Sequence, residues 1–427
     1  MTGRSDAAAD GVPPIEGTAL VVSEEPESAA LVLPIESLVL PQKLNGSEGA
    51  NRNFAAPCSL RAENDLEAMK AWLAARAANK NTFSAYRKEA ERFLLWCVIE
   101  KGTALSSLSM EEASDYLRWL EDLGRLSVRQ WSKKWRVAQE IWIGPKNAER
   151  GTPEWKPFNG PLSFASRRQA VTVIRLFFNF LVKTGYLSLN PFDQVSPKIP
   201  LLPGEGKPQQ FADRSLTAEQ WEDVLGHLRK MPEGLAKLRL EVILMMGKGL
   251  GMRASEMLSA KASWIAKKRL GGSSLTLIEV VGKGDKVRRL PLQAEHLRIF
   301  NAYLKARGLP GLGTCDPQTP ILSRHGRGRK PEVPNEALSR SGLHKILKDF
   351  LEEVSIEAEA KDPLDGAKLR AASTHWLRHT FAAAALEAMP VNVVQTALGH
   401  ASLSTTSLYL VPTEQMMEKS MKKLKAL

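Results

Sequence analysis

The chain has 427 residues, with 59 Lys or Arg against 47 Asp or Glu, a formal charge of +12 and a pI near 9.5. That length exceeds one ordinary core and implies two folded domains with appendages, while the charge favours a polyanionic partner. Cys58, Cys97 and Cys315 form no metal-ligand or disulfide pattern, no apolar run approaches the roughly 20 residues that span a bilayer, and the N-terminus lacks a secretory signal, so a reduced, cytoplasmic compartment without membrane contact is expected.

The charge is unevenly placed. Residues 1–60 hold three basic side chains (Arg4, Lys43, Arg52) and eight acidic ones, net −5, which leaves +17 on the remainder. Prolines at 13, 14, 26, 34 and 41 interrupt short apolar patches such as Leu31-Val32-Leu33, and no periodicity persists. Residues 1–60 are therefore predicted to be a mostly disordered tail, with a partner-binding tail as the functional alternative.

Residues 64–195 read as a helical domain. Leu66, Met69, Leu73 and Ala77 recur at helical spacing, as do Tyr86, Ala90, Phe93, Leu94 and Cys97, with Arg87, Lys88 and Arg92 on the remaining faces. Ser109 followed by Glu112 is a capping box that opens a helix holding Tyr116, Leu117 and Leu120. A fourth helix is predicted from Ser166 to Thr184, preceded in its first turn by Arg167 and Arg168 and stopped by Gly185. An insert over residues 124–161 carries Trp131, Trp135, Trp142 and Trp155 among Arg125, Arg129, Lys133, Lys134, Arg136, Lys146 and Lys156. Its indoles either cover the bundle or lie on nucleic-acid sugars and bases; its cations read as phosphate contacts.

Four prolines and two glycines mark 196–214 as an extended linker. The second domain, 215–412, opens on a Thr217–Gln220 capping box with Leu216 and Trp221 as a hydrophobic staple. A long apolar helix (Leu238 to Met246) follows. Leu275 to Val281, a Gly-Lys-Gly-Asp turn, and Lys286 to Leu292 read as a β-hairpin, and the rest as helix. Residues 413–427 are predicted to be a short amphipathic helix with Met417, Met421 and Leu424 on one stripe.

Three blocks in the second domain carry chemistry: Gly249-Leu-Gly-Met-Arg253-Ala-Ser-Glu256, His375-Trp-Leu-Arg378-His379, and Leu398-Gly399-His400 with Tyr409 nine residues on. Planar guanidinium groups suit the oxygens of a phosphodiester under in-line attack, because they donate two hydrogen bonds in fixed geometry and stay charged. His375 and Arg378, three apart on a helix, share a face, whereas His379 points about 100° away and reads as structural. Singly, each residue has a bland account: a surface Arg, a core His, a packing Tyr, a solvated Lys. Together, with order and local spacing intact, the blocks resemble the signature of the tyrosine recombinases of phage-integrase type; Met252 is the only departure in the first block.

The resemblance implies a mainly α fold with a small β-hairpin or sheet, in two domains that clamp duplex DNA: a helical core-binding domain and a mixed α/β catalytic domain. It implies Tyr409 as nucleophile, Arg253, Arg378 and His400 on the scissile phosphate, His375 as general acid/base, Glu256 in support of Arg253, and Lys283 protonating the leaving 5′ oxygen, with Lys286 a near competitor. Expected DNA contacts are Arg87, Lys88, Lys133, Lys134, Arg136, Arg167, Arg168, Lys286 and Arg288. No cofactor and no metal are implied; the seven histidines hold no His-Glu-x-x-His spacing. Expected partners are double-stranded DNA, further copies in a homo-tetramer on paired sites, and accessory recombination proteins, in a bacterial-type, nucleoid-associated setting. A silent DNA-binding protein of the same fold and a type IB topoisomerase are the alternative readings.

Overall fold

A computed structural model describes residues 32–206, 214–270, 273–282, 286–324 and 336–400. The chain divides into two compact units, Met1–Lys207 and Pro208–Leu427.

Among the described residues the first unit is helical: α1 (Gln42–Asn45), α2 (Asp65–Ala74), α3 (Lys80–Leu95), α4 (Met110–Asp122), α5 (Val128–Trp131) and α6 (Phe164–Lys183). Side-chain caps set the starts. Asn64 and Asn79 accept from the third-residue amides of α2 and α3, and the Ser109–Glu112 box opens α4. Gly185, at φ +79°, sits just past the end of α6, where a left-handed residue is needed. The apolar stripes meet in a core of aromatic edges, with Phe93 against Tyr116 at 4.8 Å and Trp72 against Phe177 at 4.8 Å.

The insert belongs to this core. Trp131 and Trp142 are buried and pack on Trp119 at 5.9 and 4.9 Å, and Trp135 donates its indole N–H to Asp122 at 3.0 Å. The indoles therefore cover the bundle. Residues 32–60 depart from the disordered tail expected there. Val32 and Ile35 are buried in the same core, the Ile35 amide donates to Glu91 at 2.9 Å, and Asn51 exchanges hydrogen bonds with Leu189. Arg52 lies 3.9 Å from the Tyr186 ring centroid. The segment is held by a few isolated anchors, which leave no periodic trace in the sequence.

The second unit, among its described residues, contains α7 (Ala218–Lys230), α8 (Leu235–Leu244), α9 (Ala254–Ser259), the strands β1 (Ile265–Leu270), β2 (Ser273–Val281) and β3 (Val287–Pro291), then α10 (Ala294–Ala306), α11 (Arg340–Glu359), α12 (Pro363–Ala371), α13 (Thr374–Ala388) and α14 (Val391–Leu398). Thr217 and Gln220 form their box at the start of α7. The long apolar helix is α8 continued by a π-helical turn, Met245–Gly249, which ends in the first motif block. The hairpin is part of a three-stranded antiparallel sheet in the order β1-β2-β3. β1 reads Ile-Ala-Lys-Lys-Arg-Leu, an edge strand whose charge hides it from an alternation test. Ile278, Val280 and Leu290 put the sheet's inner face on Val242, Ile243, Met246 and Met257. The C-terminal helix expected at 413–427 lies outside the described residues.

Candidate active site

The first block is shaped by its glycines. Gly251 has φ +60°, and a Cβ there would lie 2.4 Å from the Phe381 ring on α13. Its missing side chain thus admits a neighbouring helix, a packing role. Met252 turns into the core, and Arg253, one residue on, turns outward with its side chain 34% exposed. Glu256 is buried on α9 and reaches back: Oε2 accepts the Arg253 amide at 2.8 Å and Oε1 accepts its Nη1 at 2.8 Å.

The second block opens α13. Leu377 packs against Gly247, where a Cβ would come within 2.7 Å. That contact fixes the helix's rotation, so His375 faces solvent and Arg378 is carried inward with its side chain 1% exposed. Arg378 Nη1 donates to the Gly251 carbonyl at 2.5 Å, and Nη2 donates to the Leu398 carbonyl at 2.6 Å. One guanidinium thereby ties the first block to the third. His379 is buried, with its ring centroid 4.2 Å from that of His375.

The third block is the end of α14. Gly399, at φ +65°, closes the helix. The His400 amide then donates to Gln395 O at 3.1 Å and Gln395 Nε2 to His400 O at 3.2 Å, which fixes the histidine's backbone. His400 Nε2 lies 3.1 Å from Arg378 Nη2. A guanidinium only donates, so Nε2 presents its lone pair and a neutral His400 carries its proton on Nδ1.

Arg253, Glu256, Arg378, His400 and His375 thus come together within one unit. Arg288 joins them, and this corrects its reading as a DNA contact. β3 alternates, with Arg288 and Leu290 inward and Val287 and Arg289 outward. Arg288 is buried and donates to both oxygens of Glu256, at 2.9 and 2.8 Å. Lys286 is exposed at the start of β3. Lys283 and Tyr409 lie outside the described residues.

The other expected DNA contacts are in the first unit. Arg168 and Lys133 are exposed. Lys88 is exposed beside Glu89 at 3.2 Å, Arg87 pairs with Glu36 at 2.9 Å, and Lys134 pairs with Asp122 at 2.7 Å. Arg136 donates to the carbonyls of Glu100 and Ile99. Arg167 is the second correction. It is buried, with Nη1 and Nη2 on Glu205 at 2.7 and 2.8 Å and Nη2 also on Pro200 O at 2.9 Å. A partner 38 residues away turns a surface-looking cation into an internal strut.

Burial and surrounding guanidiniums favour the neutral form of the imidazoles. Burial first, then Arg378, Arg253 and Arg288, push His400 from 6.5 down to about 4. Burial and His375, followed by Arg214 and Arg378, push His379 to about 3. For His375, which keeps an exposed edge, partial burial followed by Arg378, Arg214 and Arg253 holds the imidazole below its ordinary value. Arg214 is a neighbour that the motif reading did not include.

Depressed pKa values have a consequence for stability. Below about 6.5 the unfolded chain binds protons that the folded unit refuses, so the imidazoles' contribution is present in full above that pH. It is lost as the pH falls through the folded values of about 4 for His400 and about 3 for His379. The melting temperature of the second unit is therefore expected to fall between pH 7 and 4, and His379→Gln to flatten part of that fall in a series of calorimetric scans. An unchanged slope in the variant would contradict the buried-neutral assignment.

A site with three guanidiniums, one of them held by both oxygens of a buried carboxylate, and two imidazoles with lowered pKa fits the oxygens of a phosphoryl group. Residues 214–416 match the phage integrase family. Over 343 residues the sequence is 26% identical to the tyrosine recombinase XerD of Mycobacterium leprae, covering 78% of this chain and 95% of the relative. Residues 214–416 thus carry a phage integrase family domain, and the chain is similar to tyrosine recombinases. It is also 28% identical over 267 residues to the tyrosine recombinase XerC of Pediococcus pentosaceus, covering 62% of this chain and 77% of that one. Two solved recombinase structures share the fold. XerH, in a post-cleavage complex with palindromic difH substrate, matches with a TM-score of 0.51 at 18% identity over 85% of each chain. The Tn1549 transposon integrase in complex with transposon right end DNA matches with a TM-score of 0.53 at 14% identity, over 84% of this chain and 99% of that one.

Proposed function

We propose that this protein cleaves and rejoins duplex DNA at specific sites through a 3′-phosphotyrosine on Tyr409. The phenol oxygen attacks phosphorus, the P–O5′ bond breaks, the phenol proton passes to His375, and Lys283 protonates the leaving 5′ oxygen. Arg253 and Arg378 bind the non-bridging oxygens as charge gathers there. His400, neutral with its proton on Nδ1, donates from that atom. Ligation is the reverse: a 5′ hydroxyl attacks, and the phenol leaves with the proton returned by His375. One phosphodiester is exchanged for another, so neither ATP nor a metal ion enters the balance.

The observation that carries this reading is the Arg378 guanidinium, hydrogen-bonded at once to Gly251, Leu398 and His400. It makes one site of three segments, Gly251 lying 127 residues before Arg378 and Leu398 20 residues after it. The domain reading follows: residues 64–195 as the DNA-gripping bundle, 215–412 as the catalytic domain, and a tetramer on two paired sites as the working assembly. XerH and the Tn1549 integrase, both solved in complex with DNA, support DNA as the partner.

The test uses the full chain and duplexes that it selects by binding from a random-sequence pool, nicked so that the freed 5′ end diffuses away. A covalent protein–DNA adduct, stable in denaturing detergent, is expected in the presence of EDTA. An adduct that forms only with a divalent cation would contradict the mechanism.

A further inference from the structure

We propose that Arg288 is a positioning residue of this strand-transfer reaction, holding the charge of Glu256 so that Arg253 remains free for phosphate. The inference rests on the reading above. Two carboxylate oxygens offer about four acceptor positions, and Glu256 has all of them taken: the Arg253 amide, Arg253 Nη1, Arg288 Nη1 and Arg288 Nη2. Arg253 gives up one side-chain N–H and keeps the rest, on a side chain 34% exposed, whereas Arg288 and Glu256 are only 6% and 2% exposed. The inner pair cancels its own charge, and the outer guanidinium keeps its positive field.

The same pair is the floor under two other segments. A Cβ on Gly399 would lie 3.2 Å from Arg288 Cδ, so the turn that presents His400 rests on the arginine's stem. A Cβ on Gly282 would lie 3.4 Å from Glu256 Oε1, so the strand end leading into Lys283 rests on the carboxylate. Without Arg288, the buried carboxylate would keep Arg253 at 2.8 Å and Arg378 at 4.0 Å. Arg378 is already held by the Gly251 and Leu398 carbonyls, so the partly exposed Arg253 is the one drawn inward.

A charge-holding role and a merely structural one part on the sign of a double substitution. Arg288→Met is expected to slow adduct formation about 100-fold, the cost of misplacing a reacting group, with duplex affinity unchanged. Arg288→Lys recovers part of the rate. Adding Glu256→Gln to Arg288→Met removes the competing charge while keeping an acceptor for Arg253, and is expected to bring the rate back to within about tenfold of wild type. Arg288→Met cleaving at the wild-type rate, or a double variant no faster than the single one, would overturn the inference. Should Arg288→Met fail to fold, the double variant, which buries no lone charge, decides alone: a rate within about tenfold of wild type upholds the proposal, and a loss of about 100-fold sinks it. Absence of any adduct from the wild-type chain is a separate outcome, which refutes the phosphotyrosine reading and this inference with it.

Discussion

Tyr409→Phe is expected to abolish the covalent adduct and leave duplex affinity nearly untouched. Losing a nucleophile costs on the order of 10⁴-fold or more in rate, because no neighbouring group replaces the attacking atom. Binding rests on different terms. Phosphate neutralisation by Lys and Arg dominates affinity for duplex DNA, and a phenol with an ordinary pKa near 10 carries no charge at neutral pH. A gel shift beside a denaturing gel separates the two quantities on one sample. Wild-type binding without adduct is the expected pair; a Phe variant that still forms adducts would mean that another residue attacks.

The two clamp arginines are expected to fail in different ways. Arg253 is partly exposed and bonded to one carboxylate, so Arg253→Ala should lower cleavage by about 10²–10³, the scale of one lost transition-state donor, with little change in melting temperature. Arg378 is buried and serves the fold as well. Its loss leaves the carbonyls of Gly251 and Leu398 without their donor, at about 1–3 kcal/mol for each buried group. Arg378→Ala should therefore lose a similar factor in rate and also destabilise the second unit. Arg378→Lys keeps the charge but cannot donate to both carbonyls in the same fork, so it should stay slow. Calorimetry with single-turnover cleavage reads both effects. Equal thermal stability for Arg253→Ala and Arg378→Ala would contradict the tie between the motif blocks.

The separation of roles explains what could be read from the sequence and what could not. The local signals were legible. Gly399 ends α14 because it takes φ +65°, and the Ser109 and Thr217 boxes mark helix starts through bonds that span three residues. The insert's tryptophans were balanced between two readings, since an indole suits either a core or a nucleic-acid surface; Trp119 and Asp122 decide it.

The fate of buried cations was not legible. Arg288 and Arg167 look like surface residues in a basic protein until Glu256 and Glu205, 32 and 38 positions away, meet them in space. Residues 32–60 escaped for a related reason. Ile35 and Asn51 act as isolated anchors to Glu91 and Leu189, and isolated anchors produce no period. Burial of a charge or an irregular strap depends on a distant partner, which pattern and propensity do not encode.

The most direct test of the account is to find the residue to which DNA becomes attached. The adduct formed in EDTA is digested with nuclease and protease, and the phosphonucleotide-bearing peptide is sequenced by mass spectrometry. The expected peptide carries its modification on Tyr409, linked to a 3′ phosphate. A modification on any other side chain, or a linkage through a 5′ phosphate, would contradict it.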